Sequence, residues 1–315
     1  GDRQRRATEF FASEIAEQEK RLSKESQSSP ADMRAAVDNA NAALESTYTA
    51  LAAWSAYPDF INPLANWLHG WHLMVAPQTS GDWSRAAELF GSVVGMLPEN
   101  PVAAADQDWA NRLADGAVRP EALPPTVWVL VERGLAPLKV EERVEFPVPI
   151  YHGEGTTFWT GFAIPALQPR PAPWPIRVSL GANISGTYLL ADMDAVIGQE
   201  FAKRLPGIVT RAVIGSVAKT MLQYRMRRNA GELAGILALV YQVATTSADT
   251  RMWTSLPKQI ELAKLERTAD TLVLQGGGQD IRIPLPQAHW TLVWVRWPDS
   301  LAAPRYQVLV APTGP

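Results

Sequence analysis

His69 and His72 stand three residues apart in the string Trp67-Leu68-His69-Gly70-Trp71-His72, so on a helix both imidazoles share a face. A zinc-type site needs a third and usually a fourth ligand. The nearby carboxylates, Asp59 and Asp82, fall across a turn, so no metal is expected, and repeat-face packing or solvation explains the pair. His152 and His289 are isolated. Asn183-Ile184-Ser185-Gly186 places a serine in a turn-like string, but a nucleophile elbow needs glycine two residues before and two after it. Asn183 and Thr187 occupy those positions, and a strand follows rather than a helix. Gly276-Gly277-Gly278 is no phosphate loop, because no helix N-terminus follows to hold the anion. Asp106 with Asp108, and Asp192 with Asp194, are carboxylate pairs at a spacing of two near helix starts, where capping accounts for them.

Two further strings carry charge beside apolar residues. Lys219, Arg225, Arg227 and Arg228 end a helical window and could touch an anionic membrane surface, although cations at a helix C-terminus are also favoured by the dipole. Asp249, Arg251 and Trp253 pack an acid, a cation and a large aromatic into five residues before a strand. Arg251 can pair with Asp249 or stack on Trp253. This knot is expected to fix loop geometry first, with Arg251 near a carboxylate and Trp253 mostly buried, and to serve as a binding feature second.

Composition narrows the classes. A chain of 315 residues with 47% hydrophobic and 19% charged residues is globular rather than disordered. A net charge of −3 supplies no field to gather nucleic acid. The absence of cysteine excludes disulfides, thiol nucleophiles and thiolate metal sites, and fits either the cytosol or the periplasm. The chain opens Gly1-Asp2, so a processed N-terminus is expected. No run of 18 apolar residues occurs.

Helical patterning dominates the first 115 residues. Windows at 8–25 and 31–55 precede a pair over Pro63–Val75 and Asp82–Met96, and a short helix at 103–113 carries Trp109. Within the pair, Gly70 is a small residue, and Ala86, Phe90, Val93 and Pro98 follow at offsets of 0, 4, 7 and 12, the second half of a tetratricopeptide-type unit. Such units bind other proteins, and Trp67, Trp71 and Trp83 are the expected partner-binding face. After Pro120 the chain turns to β. Strands are expected at 126–131, 140–148, 176–180, 187–190, 258–265, 272–274, 281–285, 290–297 and 306–310, with a glycine hairpin at 276–278 and a proline-rich loop or edge region at 161–175. Helices are expected at 192–204, 206–228 and 231–246. The predicted fold is therefore α+β: an all-helical tetratricopeptide-like domain over 1–115, then a domain over 116–315 with a mixed antiparallel sheet and packed helices.

Four stretches carry a family likeness: Asn62 through Pro98-Glu99-Asn100, Val129 through Glu141, Leu205 through Ala212, and Asp249 through Pro257. With these the chain resembles a group of uncharacterised bacterial outer-membrane lipoproteins with tetratricopeptide-like N-terminal helices. The resemblance implies a periplasmic place, and outer-membrane anchoring if a lipidated cysteine preceded Gly1. It also implies partners among envelope proteins, such as a secretion-pore or penicillin-binding-protein-activator lipoprotein. The expectation is a non-enzymatic scaffold or adaptor without cofactor. A hydrolase of envelope polymers and a small-ligand or lipid carrier are the alternatives.

Overall fold

The computed structural model describes residues 62–150, 156–230 and 248–311. Among them are four α-helices and eleven strands in three sheets. The expected architecture, an all-helical tetratricopeptide-like part followed by one mixed sheet, is not the one found. The helices expected at 8–25, 31–55 and 231–246 lie outside the described residues. The helix pair does form, as α1 (Pro63–Val75) and α2 (Gly81–Met96), followed by α3 (Pro101–Ala114). These three make one layer against a sheet. The apolar periodicity of Trp67, Phe90 and Val93 demanded burial, but it carried no statement of what would cover them.

The described residues divide into two compact units, and the described chain passes between them after residues 138, 168, 197 and 252. One unit holds, among the described residues, 62–138, 169–197 and 253–311. A boundary near 115 would separate α1–α3 from strands with which they share this unit and a core. Its main sheet holds five strands: β1 (Thr126–Arg133), β6 (Tyr188–Asp192), β7 (Gln259–Glu266), β10 (Trp290–Trp297) and β11 (Arg305–Val310). Their order is β11-β10-β1-β7-β6, with β1 parallel to β10 and antiparallel to β7. A second sheet, in the order β5-β4-β8-β9, is built from β4 (Ile176–Leu180), β5 (Asn183–Gly186), β8 (Thr271–Gly276) and β9 (Gln279–Pro284).

Strand alternation explains the layering. Trp128 and Leu130 of β1, Ile260 and Leu262 of β7 and Leu292 of β10 meet Trp67, Phe90, Val93 and Leu113 of the helices. The intervening residues Val127, Val129, Val131, Ala263, Val293 and Val295 meet Val178, Leu272, Leu274 and Ile283 of the second sheet. The main sheet is thus covered on both faces, which is why Val127-Trp128-Val129-Leu130-Val131 is uninterruptedly apolar. Close packing shows at Gly70, where an added Cβ would lie 3.0 Å from the Phe90 ring. Gly277 and Gly278 take φ of 55° and 75° in the β8–β9 turn, as a two-residue hairpin requires.

The other unit holds, among the described residues, 139–150, 156–168, 198–230 and 248–252. Its described part contains most of β2 (Leu138–Ile150), paired with β3 (Thr156–Gln168), and most of α4 (Met193–Ala230). Of the proline-rich stretch 161–175, expected as a loop or edge region, the first half is a strand. In a sheet that has two strands among the described residues both are edges, so Pro165 need donate to no ladder. The two helices expected at 192–204 and 206–228 are one helix of 38 residues. Pro206 forfeits its own donor, and the ladder resumes beyond it. Asp192 caps this helix, accepting from the amides of Asp194 and Ala195 at 2.9 and 3.3 Å. Hydroxyls tie α4 to β3: Thr220 donates to Thr160 at 2.8 Å, and Ser216 to the Gly161 carbonyl at 3.0 Å.

Candidate functional site

Of the three tryptophans proposed as a partner face, two are core residues. Trp67 and Trp71 are buried. Trp83 is half-buried, and its indole donates to the Met74 carbonyl at 3.2 Å. What organises them is Asp106, which is fully buried at the centre of the helix–sheet interface. Its Oδ2 accepts from Trp67 Nε1 at 2.9 Å, and its Oδ1 accepts from Trp128 Nε1 at 3.0 Å and from Lys264 Nζ at 2.8 Å. The Lys264 ammonium also stands 3.3 Å from the centre of the Trp109 ring, a cation–π contact. Trp71, Trp109 and Trp290 surround Trp128 with ring centres 6.0–6.3 Å away, edge-on. Asp106 is therefore no helix cap. It is the anionic hub of an aromatic cluster, and both of its oxygens are used in holding three elements together.

A second buried charge pair lies on the other face of the sheet. Arg133 donates to Glu261 and to the Trp174 carbonyl, and Thr187 donates to the second oxygen of Glu261. Burial pushes the Arg133 guanidinium down to about 10. Lys258 pairs with Asp194, whose carboxyl is raised by burial. Trp294 Nε1 donates to Glu132 at 3.1 Å. These groups are joined to one another rather than aimed at a common cleft.

The Asp249–Arg251–Trp253 string departs in part from expectation. Arg251 Nε and Nη2 donate to the two Asp249 oxygens at 2.8 and 3.0 Å, so the carboxylate partner is present. Trp253 is 72% exposed rather than buried, because it sits in an irregular stretch outside any element. The Arg251 side-chain and backbone hydrogen bonds hold the Asp249 carboxyl well below the usual aspartate range. A carboxyl lowered in this way adds stability above its unfolded-state pKa, which is lost as pH falls through the folded value. Arg251→Gln should return the Asp249 titration to the ordinary aspartate range in a carbon-detected NMR titration. Because the pair is exposed, the melting temperature should hardly move.

His69 and His72 are both exposed. Among the described residues no group of three or more His, Cys, Asp or Glu could hold a metal ion, and no helix is long and apolar enough to cross a membrane. Lys219 is half-buried on α4, while the side chains of Arg225, Arg227 and Arg228 lie outside the described residues.

Two surface features remain. One is an open depression of about 650 Å³ at the end of the second sheet, lined by Arg177, Ile184, Ser185, Gln275, Gln279 and Asp280 among others. The Arg177 guanidinium has no hydrogen-bond or ion-pair partner among the described residues. Asp280 accepts from Gln275 at 3.3 Å. The depression is open and mixed in its lining, with Ile176 and Ile184 beside Arg177 and a single carboxylate, Asp280, so it is neither a closed lipid cavity nor a pair of carboxylates poised for acid–base work.

The other is β11, an edge of the main sheet. Tyr306, Leu309 and Val310 are 43%, 42% and 47% exposed, and Leu301 in the preceding turn is 91% exposed. The opposite edge, β6, is protected by a register irregularity between Leu189 and Ala191, and Asn100 Nδ2 donates to the Leu189 carbonyl at 2.8 Å. The edge strand β9 carries Asp280, Arg282 and Pro284. By contrast, β11 runs Arg-Tyr-Gln-Val-Leu-Val in unbroken register with β10, with one charge, at its start, and no proline. Nothing in its local pattern sets it apart from a covered strand, so sequence reasoning found the strand and missed its exposure. Comparisons with protein-family models, with curated proteins and with solved structures find no match.

Proposed function

We propose that this protein is a non-enzymatic scaffold or adaptor that docks protein by strand addition at β11. The observation that carries the reading is the bare apolar edge of the main sheet: its outward main-chain groups supply affinity, and Tyr306, Leu309 and Val310 supply contact area. The buried acids and bases favour the same reading, since Asp106, Glu261 and Asp194 each hold a structural cation. The resemblance to outer-membrane lipoproteins supports a place in the cell envelope, with other envelope proteins as neighbours.

The test is a photo-crosslinking residue placed at Leu309 and, as a control, at Arg282 in cells making the full chain. Discrete protein adducts at Leu309 and none at Arg282 are expected. No adduct at Leu309, or turnover of an envelope polymer by the purified protein, would overturn the proposal.

A further inference from the structure

We infer that the strand docked at β11 is β11 of a second copy of this chain, an inference that rests on the strand-docking reading above. The ladder determines which groups are free. Ala311 N donates to the Trp290 carbonyl, and the register pairs Val310 with Thr291 and Val308 with Val293. In an antiparallel ladder hydrogen-bonded pairs alternate, so residues 305, 307, 309 and 311 point their main-chain groups at β10. Tyr306, Val308 and Val310 point theirs outward.

Two copies related by a two-fold axis through the sheet must pair residues of equal parity, because directly opposed side chains share a face. The axis through Val308 satisfies this and uses every outward group. It sets Tyr306 against Val310 of the other copy, Val308 against Val308, and Val310 against Tyr306. The apolar side chains then form one continuous row on the face where Val308 already packs against the second core. Gln307 meets Leu309 on the opposite face. The single charge of the strand, Arg305, falls outside the segment and opposite Ala311, so no like charges confront each other. The strand is thus self-complementary in backbone, shape and charge, which an isologous interface demands. The product is one ten-stranded sheet made of two five-stranded halves.

The experiment is sedimentation velocity on the full chain across a wide concentration range, with thermal melts to confirm folding. A dimer that dissociates on dilution is expected. Tyr306→Lys and Val310→Glu should each weaken self-association by about tenfold or more, since each buries a charge against an apolar partner. Mixing the two variants should restore a heterodimer, because this register sets the ammonium introduced in one copy opposite the carboxylate introduced in the other. The chain has no cysteine, so Val308→Cys is a clean second probe. Opposed Cα atoms in such a pair lie about 5.5 Å apart, within disulfide reach. A monomer at every concentration, or a dimer indifferent to both variants, overturns the inference. If Leu309 crosslinks instead to a different protein while the chain stays monomeric, this inference falls and the strand-docking reading stands. If neither association occurs, both fall.

Discussion

Replacing Asp106 by Leu should destabilise the protein by roughly 3–5 kcal/mol, a fall in melting temperature on the order of 10 °C. The carboxylate is completely buried and takes one hydrogen bond from each of two indoles and one from an ammonium. Its removal leaves Lys264, whose side chain is only 12% exposed, as a buried cation without its anion, and it orphans the N–H groups of Trp67 and Trp128. Asp106→Asn should also destabilise, though less. Both oxygens are acceptors in the native arrangement, and an amide can supply only one. The control is Asp106→Leu combined with Lys264→Met. Removing both charges eliminates the uncompensated one, so the double variant should be more stable than Asp106→Leu alone. A single variant that melts with the parent would mean that water reaches the hub and that the cluster is not sealed.

The second large effect is expected at Glu261. Glu261→Ala should cost roughly 3–5 kcal/mol, because it strands the Arg133 guanidinium in the inter-sheet region. Arg133 Nε already lacks a partner, so the guanidinium has little further satisfaction to lose. Burial has lowered this group to about 10 in the folded protein, below its unfolded value. The unfolded chain therefore binds the proton more tightly, and stability gained from this group rises as pH climbs through that value. Arg133→Met in the same background should recover much of the loss. Urea melts of the parent, the single variants and the double variant check it, and a double variant no more stable than Glu261→Ala would count against the buried-cation account.

Much of the local structure was legible in the residues. The apolar run at Thr126–Val131 announced a buried strand, Gly276-Gly277-Gly278 announced the β8–β9 hairpin, and the steps of three and four around Phe90 announced α2. These are short-range signals, set by side-chain alternation, backbone φ and helical period, and they are complete within a dozen residues. The partners of those elements were not legible. Trp67, Trp71 and Trp83 look the same in a sequence whether they face a partner or a core. Only the pairing of β1 with β7 and β10 beneath α1–α3 decides that two of them line a core around Asp106.

The same division holds for the charged residues. Asp106 beside Asp108 resembles a helix cap, and the Lys264 that makes it a hub arrives 158 residues later along the chain. Arg133 and Glu261 are 128 residues apart. Trp253 sits in a string that reads as a packed knot, yet the fold leaves it in solvent. By itself the sequence determined which segments are helix and which are strand over most of the described chain, where the turns fall, and that no thiol chemistry is available. Only the tertiary structure decided which acids are neutralised in the core and which edge of the sheet is left open. Desolvation and edge exposure are properties of distant chain segments brought together, and no local pattern encodes them.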